Sequence, residues 1–377
     1  MTVGAKTWRF AGVVAIVLAV GGGCGSESES EGYSGAGARP TGGGGTPSGG
    51  SSGTGGSLGG GGGSAAVGGN PSDAAIDADA PPKLGPPYPV VLCHGFFGFE
   101  KFAGLDAITY FYKVKEELAK NGETLVFTPE VDPFNDSTYR GAQLQGEIEK
   151  ILAQTGHEKV NLIGHSQGGL DARVVAHDRP DLVASVTTIA TPHQGTPIAD
   201  VILGLVSDPG AQQLVDWFVK QIGYALYDAA GKKTSLWKPL ELFSKSGIAA
   251  FNQKYTDRAS VRYWSLTGRS DFKLPGQDCK PDTTLPFIEK WNLETDPIDP
   301  LFLISEAYLD GGIGQPDAND GLVRVQDAHW GTFLGCVPAD HLDEVGQLFG
   351  DSPGIGNLFE YRALYVELVK MLRDTGL

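Results

Sequence analysis

One stretch, VNLIGHSQGGLDARVV over residues 160–175, restricts the backbone more than any other part of the chain. Val160 to Ile163 form an apolar run that predicts a buried strand, and apolar residues return with helical spacing from Gly168. Ser166 stands between them, with a glycine two positions before it and two after, where a side chain would block a sharp turn. Such a serine can be a plain helix cap. The strand–turn–helix setting is nevertheless typical of a nucleophile elbow, which projects the serine hydroxyl above the strand ends.

Strand-like and helix-like segments alternate along the rest of the chain. YPVVLCHG and TLVFTPEV predict strands on either side of a helix over residues 108–120. RGAQLQGEIEKILAQTG repeats apolar residues at helical spacing and ends at a glycine, and VASVTTIA and VRYWSLTG predict two further strands. Strands joined by helices need crossover connections, so we expect an α/β fold with a mostly parallel sheet and flanking helices.

Composition divides the chain into three parts, residues 1–24, 25–85 and 86–377. Residues 25–85 hold 21 of the 55 glycines and one aromatic residue, Tyr33. This segment cannot bury enough apolar surface to offset its ordering entropy, which predicts a disordered Gly/Ser-rich linker. Residues 86–377 are long enough for one large α/β domain. The formal net charge of -16 argues against nucleic acid as a partner.

The first 24 residues have the pattern of a bacterial secretory signal. Lys6 and Arg9 precede the apolar run FAGVVAIVLAV, which is too short to span a bilayer. Three glycines and Cys24 follow, which resembles a lipoprotein cleavage and lipidation site, although Gly21 stands where leucine is usual. Gly25 is not the aspartate that retains lipoproteins at the inner membrane, so we expect a lipidated Cys24 to hold the chain at the outer membrane or cell surface. The alternative is an ordinary signal that is cut nearby and a secreted protein.

Three cysteines remain after Cys24. Cys93 lies in the apolar segment YPVVLCHG, which predicts a buried free thiol. Cys279 and Cys336 lie beside Gly, Pro and Asp in loop-like sequence. In an oxidising compartment these two cysteines are the predicted disulfide pair.

Residues 201–237 interrupt the alternation of strands and helices. Five apolar residues of this segment lie along one helical face: Leu214, Trp217, Phe218, Ile222 and Leu226. Such a face belongs either to a core helix or to a lid, which covers a site in water and exposes its apolar face at a lipid surface. The position of the segment, after the strand that contains Ile189, favours the lid.

A serine nucleophile needs a general base and a carboxylate that orients this base. In a strand–elbow–helix fold the three residues follow the order Ser, Asp or Glu, His. His329 and His341 both follow the elbow, and His341 is favoured because it opens the compact segment HLDEVGQLFG. The segment QPDANDGLVRV offers Asp317 and Asp320 as the acid. Asp320 is favoured because it precedes a turn and a strand-like run, although a plain turn explains the same residues.

The tetrahedral intermediate of acyl transfer carries a negative oxygen, which backbone N–H groups can stabilise. The residue after the nucleophile, Gln167, offers one such donor. The loop HGFF, which follows the early strand, offers a second donor at Phe96.

Five segments together resemble the bacterial true lipases of the Pseudomonas and Burkholderia type: YPVVLCHGFFG, VNLIGHSQGGLDAR, LVASVTTIATPHQGTP, NDGLV and HLDEVGQLFG. They occur in the order of that family, and the resemblance covers residues 86–377. It implies an α/β-hydrolase fold with a helical lid insertion and triacylglycerol as substrate. It also implies the catalytic triad Ser166, Asp320 and His341, with Phe96 and Gln167 as oxyanion donors.

The resemblance further implies a structural calcium ion that fixes the loop carrying the histidine. Asp343 and Gln347 of HLDEVGQLFG match two ligands, and a backbone carbonyl near Asp351 would be a third. The remaining carboxylate matches Asp296 in ETDPIDP, with Asp299 as the alternative, and oxygen ligands suit calcium. Without the resemblance, Asp343 and Gln347 would be interpreted as ordinary residues on the surface of a helix.

The chain also departs from this family in three respects. Cys336 comes later than the second cysteine of the family, and the lid segment matches poorly. An anchor with a long linker is unlike the freely secreted members, many of which depend on a dedicated foldase. The resemblance therefore leaves a foldase partner, the chain-length preference and interfacial activation open.

Three functions agree with these residues. The first is a triacylglycerol lipase, and the second is a short-chain carboxylesterase or phospholipase that uses the same triad. The third is a surface lipoprotein that binds without catalysis. The apolar face around Trp217 favours long acyl chains, and the intact triad argues against a protein that only binds.

Overall fold

The computed structural model describes residues 82–96, 110–206, 210–218, 237–270, 275–310, 317–347 and 357–377. The chain divides into two units, Met1–Pro81 and Pro82–Leu377, and all of these ranges belong to the second unit. The predicted signal, Cys24 and nearly all of the predicted linker lie outside the described residues. Within the described ranges, no helix has the length and apolar character that a membrane span requires.

Within the residues that the structure describes, six parallel strands form one sheet in the order β2–β1–β3–β4–β5–β6. The strands are β1 (Val90–Cys93), β2 (Val126–Phe127), β3 (Val160–His165), β4 (Val183–Ile189), β5 (Arg262–Arg269) and β6 (Thr332–Pro338). This confirms the predicted parallel α/β fold, although the strand predicted in TLVFTPEV has only two residues. The strand order reverses direction between β1 and β3, which is where sheets of this kind place their ligands, beyond the carboxyl ends of the strands.

Helices cover both faces of the sheet. Their bounds are α1 (Val114–Lys120), α2 (Ser137–Thr155), α3 (Gln167–Asp178), α4 (Pro197–Ile202), α5 (Trp237–Phe243), α6 (Lys245–Lys254), α7 (Pro286–Glu289), α8 (Leu303–Leu309) and α9 (Tyr361–Asp374). Residues 211–218 are also helical. Single turns of 3-10 helix cover Gln277–Cys279, Val325–Ala328 and Asp343–Val345. The helix predicted over residues 108–120 begins at Val114 in the described part of that range.

Helix α2 has local signals at both ends and one apolar face. The Asp136 carboxylate accepts hydrogen bonds from the backbone N–H groups of Thr138 and Tyr139, at 2.9 and 3.1 Å, which satisfies two donors of the first turn. Gly156 ends the helix with a φ of 74°, a conformation that glycine adopts without strain. Between these ends, Leu144 and Ile148 are buried against the sheet.

Strand β1 separates two hydrophobic cores. Val90 and Leu92 point into a core that α1 and α9 complete, whereas Val91 and Cys93 point into a core that α2 and α3 complete. Successive side chains of a strand alternate between the two faces of its sheet, so a strand with apolar residues throughout is buried on both faces. Cys93 is a buried free thiol, as predicted.

A disulfide joins Cys279 and Cys336, as predicted, with 5.3 Å between their Cα atoms. It connects the 3-10 turn before α7 to strand β6. Because β6 leads directly into the segment that carries His341, the disulfide ties this segment to the rest of the domain.

Candidate active site

Ser166 occupies the sharp turn between β3 and α3. Its φ of 55° and ψ of -130° lie in a region that residues other than glycine rarely adopt, and such strain is commonly found at functional sites. The flanking glycines are required by space. A Cβ atom at Gly164 would lie 2.6 Å from the Gly169 backbone, and one at Gly168 would lie 2.1 Å from the carbonyl oxygen of Cys93. The sequence therefore forms the elbow that its glycine spacing predicts.

Hydrogen bonds from β4 and the residues after it hold the elbow in place. The Ser166 N–H donates to the carbonyl of Ile189 at 2.9 Å. The Ser166 carbonyl accepts from the Thr191 hydroxyl at 2.8 Å and from the Gly169 N–H at 3.1 Å. With both backbone groups of Ser166 bonded, the strained conformation is fixed by its surroundings.

His341 and Asp320 form a buried hydrogen-bonded pair. His341 Nδ1 lies 2.8 Å from Asp320 Oδ2, and the other carboxylate oxygen accepts from two backbone N–H groups, those of Leu322 at 2.8 Å and Val323 at 2.7 Å. The His341 N–H also donates to the Asp320 carbonyl at 2.9 Å. An ionised carboxylate only accepts hydrogen bonds, so Nδ1 carries the proton and Nε2 keeps a lone pair for a serine hydroxyl.

The alternatives to this pair lie elsewhere. Asp317 accepts from Arg324 at 3.3 Å and from Gln326 at 3.1 Å. His329 bonds the carbonyl of Asp278 at 2.8 Å through Nε2 and stacks on Phe333, with ring centroids 3.7 Å apart. The structure brings Asp320 and His341 together and leaves Asp317 and His329 in other contacts.

The ring of His165 connects the pair to the elbow. His165 precedes Ser166 in the chain, and its ring lies against that of His341 with 4.6 Å between centroids and 48° between planes. The His341–Asp320 pair therefore lies against the residue that precedes Ser166, at the carboxyl edge of the sheet.

Gln167, the first residue of α3, is fully buried, and its side chain has a structural role. Its amide Nε2 donates to the carbonyl of Asn135 at 2.7 Å, which ties the elbow to the loop before α2. Its backbone N–H lies at the N-terminus of α3, where the partial positive charge of the helix favours an anion. This arrangement suits the predicted oxyanion donor.

Buried Arg140 fixes the loop that carries the second predicted donor, Phe96. Arg140 Nη2 and Nη1 donate to the carbonyls of His94 and Gly95 at 2.6 and 3.2 Å. The Gly95 carbonyl and the Phe96 N–H share one planar peptide and point in opposite directions. The Phe96 N–H is therefore held facing away from Arg140, whose charge is balanced by Asp171 at 2.7 Å.

The charges around this loop are strongly affected by burial. Burial raises the pKa of Asp171 to about 6, even though the Arg140 guanidinium acts in the opposite direction. Burial also lowers the pKa of His94 to about 3, and Arg140 acts in the same direction. His94 Nε2 accepts from the Val131 N–H at 3.1 Å, which is the behaviour of a neutral ring.

Three buried carboxylates, those of Asp296, Asp340 and Asp343, lie together beside the histidine segment, with one oxygen of each within 4.8 Å of the others. Asp340 Oδ1 accepts from the backbone N–H groups of Leu342 and Asp343, both at 3.0 Å. Burial lowers the pKa of Arg269 to about 10, against the attraction of Asp296, so one cation faces this group. Burying several carboxylates together requires compensating positive charge or hydrogen bonds, and carboxylate oxygens are the ligands that Ca²⁺ prefers.

The predicted calcium ligands have different positions. Asp296 and Asp343 belong to this cluster of three carboxylates, whereas Asp351 lies outside the described residues. Gln347 is buried and its amide donates to the Tyr110 carbonyl at 2.9 Å, and Asp299 donates its backbone N–H to Asp340 Oδ2 at 3.0 Å. The interpretation of Asp343 and Gln347 as surface residues, which the sequence alone suggested, is wrong.

The chain is similar to proteins of known family. The alpha/beta hydrolase fold family matches residues 88–225. A triacylglycerol lipase of Vibrio cholerae is 34% identical over 300 residues, covering 77% of this chain and 89% of that protein. Triacylglycerol lipases of Pseudomonas fragi and Burkholderia plantarii are each 31% identical over 309 residues, with 77% and 74% of this chain covered and 97% and 84% of theirs.

This chain belongs to the bacterial triacylglycerol lipase family. It is therefore a hydrolase of the α/β-hydrolase fold, and the resemblance seen in five sequence segments is confirmed over most of the chain.

The segment predicted as a lid of this lipase family member is described only in part. Leu214 and Trp217 are buried among apolar residues that include Ile298 and Phe302, and the Trp217 indole donates to the Leu301 carbonyl at 2.6 Å. The described part thus packs as a core helix does. Residues 219–236, which include the predicted Ile222 and Leu226, lie outside the described residues.

Three residues at the site were missed by the sequence analysis: Asp340, Arg140 and Glu344. Asp340 had a usable signal, since an aspartate directly before His341 can accept N–H groups of the turn that follows. Arg140 and Glu344 had none, because their partners are distant in sequence.

Proposed function

We propose that this hydrolase cleaves the ester bonds of triacylglycerols to fatty acids and glycerides through an acyl-enzyme on Ser166. The observation that carries the proposal is the Asp320-oriented imidazole of His341 beside a strained serine elbow. Relatives named as triacylglycerol lipases over most of the chain support this substrate class.

In the first half of the reaction, His341 Nε2 takes the proton of the Ser166 hydroxyl while Oγ forms a bond to the ester carbonyl carbon. The carbonyl oxygen becomes an oxyanion and accepts hydrogen bonds from the backbone N–H groups of Phe96 and Gln167. Each donor stabilises the transition state by about 3 kcal/mol. Asp320 stabilises the imidazolium and keeps its orientation. The intermediate then collapses, the bond to the alcohol oxygen breaks, and His341 gives its proton to the leaving glyceride.

In the second half, His341 takes a proton from water as the water oxygen attacks the acyl carbon. The oxyanion of this second tetrahedral intermediate accepts hydrogen bonds from the same two N–H groups. Its collapse breaks the bond to Ser166 Oγ, which recovers the proton from His341, and the fatty acid leaves.

Hydrolysis of a series of triacylglycerols from short to long acyl chains tests the proposal. The full-length protein is compared with Ser166→Ala and with Ser246→Ala, an exposed serine on α6 that serves as control. Long-chain hydrolysis that only Ser166→Ala abolishes would support a lipase. Hydrolysis of short chains only, or of phospholipids only, would favour the esterase or phospholipase, and a folded protein without any hydrolysis would favour the binding lipoprotein.

We propose that a structural calcium ion binds at the cluster of carboxylates formed by Asp296, Asp340 and Asp343. Asp296 and Asp343 would be ligands, with Gln347 and a carbonyl near Asp351 as further ligands, and Asp340 lies close enough to take part. The ion would supply positive charge that balances buried carboxylates and fixes the segment carrying His341. A chelator should lower the melting temperature of the wild type and have little effect on Asp296→Asn. An unchanged wild-type melting temperature would contradict the site.

We also propose export and lipidation at Cys24, with the protein held at the outer membrane or cell surface. The basic and apolar sequence before Cys24 supports this location. Radioactive palmitate should label the wild type but not Cys24→Ala, and equal labelling would contradict the anchor. The resemblance leaves a dedicated foldase open as a partner of this chain. Efficient refolding of the purified chain alone would argue against this partner.

A further inference from the structure

A second chain of hydrogen bonds lies directly beside the catalytic histidine. The Tyr110 hydroxyl lies 2.7 Å from His165 Nδ1, and His165 Nε2 lies 2.9 Å from Glu344 Oε2. His165 and Glu344 are completely buried. Neither polar group can exchange its partner for bulk water, so breaking either bond leaves a buried polar group unsatisfied.

Each end of this chain fits against a glycine. A Cβ atom at Gly95, in the oxyanion loop, would lie 2.5 Å from the Tyr110 hydroxyl oxygen. A Cβ atom at Gly268, near the end of β5, would lie 2.5 Å from Glu344 Oε1. These hydrogen-bonded side chains therefore pack closely against the backbone of the oxyanion loop at one end and of β5 at the other.

The backbone around Tyr110 is attached to the histidine segment as well. The Tyr112 N–H donates to the Val345 carbonyl at 3.1 Å, and the Gln347 amide donates to the Tyr110 carbonyl at 2.9 Å. Tyr110, the elbow and the histidine segment are thus joined by backbone contacts and by the side-chain bonds of His165.

His165 is the member of the chain that faces His341. The centroids of the two rings are 4.6 Å apart, and this ring contact is separate from the hydrogen bond between His341 and Asp320. Burial lowers the pKa of His165 well below its usual value, and His341 acts in the same direction. His165 is therefore neutral, and it presents no like charge to the imidazolium that forms on His341 during catalysis.

We propose that Tyr110, His165 and Glu344 are positioning residues, which hold the His341 imidazole in line with Ser166 by fixing the ring packed against it. This inference rests on the proposed function, because it assigns His341 as the base. Asp320 fixes one edge of the imidazole, and the held ring of His165 fixes its face. A small displacement of a catalytic group can reduce a rate about 100-fold. Loss of the bonds that hold the His165 ring should therefore lower turnover and leave substrate binding unchanged.

Three variants remove or retain the bonds of the chain. Glu344→Ala removes the partner of His165, Glu344→Gln keeps a side chain that can bond Nε2, and Tyr110→Phe removes only the hydroxyl. Tyr361→Phe is the matched control for Tyr110→Phe, because the Tyr361 hydroxyl donates at 2.7 Å to the carbonyl of Tyr112 in the same segment and does not contact His165. All variants are made in the full-length chain.

The experiment measures kcat and KM for a soluble p-nitrophenyl ester and the rate of Ser166 labelling by a fluorophosphonate, with melting temperatures for each variant. We expect kcat and the labelling rate to fall about 100-fold in Glu344→Ala and about 5- to 10-fold in Tyr110→Phe, with KM unchanged. Glu344→Gln should recover most of the loss. Tyr361→Phe should match the melting temperature change of Tyr110→Phe and keep the wild-type rate.

Two outcomes would overturn the inference. The first is a wild-type labelling rate in a folded Glu344→Ala or Tyr110→Phe. The second is an equal loss in Tyr361→Phe, since the effect would then follow stability alone. Fluorophosphonate labelling does not depend on the natural ester, so an error in the proposed substrate would appear only in the triacylglycerol assay. A wild type that the reagent fails to label would remove the nucleophile, and this inference with it.

Discussion

Arg140→Met is the perturbation for which the structure supports the most detailed prediction. Arg140 is fully buried and makes hydrogen bonds to Asp171 at 2.7 Å and to the carbonyls of His94 and Gly95 at 2.6 and 3.2 Å. Removing one partner of a buried ion pair costs about 3–5 kcal/mol, because the other charge is left without compensation. Methionine occupies a similar volume, so the loss reflects the charge and its hydrogen bonds.

A second substitution separates the two roles of Arg140. In Arg140→Met/Asp171→Asn the uncompensated carboxylate is gone, and the free energy of unfolding should recover by about 2–3 kcal/mol relative to the single variant. The carbonyls of the oxyanion loop still lack their donor in the double variant. The Phe96 N–H is then no longer held, and the loss of one oxyanion donor lowers kcat about 100-fold or more.

Urea unfolding followed by tryptophan fluorescence gives the free energies, and hydrolysis of a soluble ester gives kcat. Arg179→Met is the control, since Arg179 forms partly exposed ion pairs and should cost less than about 1 kcal/mol without affecting kcat. A double variant that regains both stability and kcat would refute the reasoning, because Arg140 would then act through charge balance alone.

Three further predictions concern pH, the disulfide and the elbow. The pKa of His94 is about 3 in the folded protein and about 6.5 in the unfolded chain, so its contribution should lower the free energy of unfolding by about 1.4 kcal/mol for each pH unit as the pH falls from 6.5 to 3. Urea titrations at several pH values should show a smaller decrease in His94→Gln. Replacing Cys279 and Cys336 by serine should cost about 4 kcal/mol, from a sequence separation of 57. Gly168→Ala should lower kcat about 100-fold, whereas Gly146→Ala in α2, with open space around it, should stabilise by up to about 1 kcal/mol.

Each of these predictions has a contrary result. Equal pH slopes in the wild type and His94→Gln would mean that His94 is protonated in the folded protein. An unfolding free energy unchanged by loss of the cysteines would exclude a disulfide in solution. An active Gly168→Ala protein would mean that the elbow tolerates a Cβ atom beside the carbonyl of Cys93.

Features that depend on neighbours in sequence were predictable. The elbow around Ser166 follows from two glycines and the change from strand to helix spacing, and α2 follows from its apolar period and terminal glycine. The disulfide spans 57 residues and was predicted differently, from the loop-like sequence around its cysteines and by elimination of the other cysteines. These patterns work because steric constraints and periodicity act over a few residues.

The alternatives left open by the sequence were decided by contacts over long separations. His341 and His329 are equally compatible with the chain order, and only the folded protein shows that His341 reaches Asp320 while His329 stacks on Phe333. The packing of the segment predicted as a lid was likewise decided by a contact over a long separation. Trp217 is buried and donates to the Leu301 carbonyl, 84 residues away, a contact that no helical period reveals.

The sequence by itself determined the parallel α/β architecture, the turn that presents Ser166 and the chemical types of the site residues. The tertiary structure decided among the candidate carboxylates and added two that the sequence did not offer: Asp320 bonds His341, Glu344 bonds His165 across 179 residues, and Asp340 joins Asp296 and Asp343. The physical reason is that backbone conformation responds to local sterics, whereas the role of a charged side chain is set by burial and by the groups that packing brings within hydrogen-bond distance.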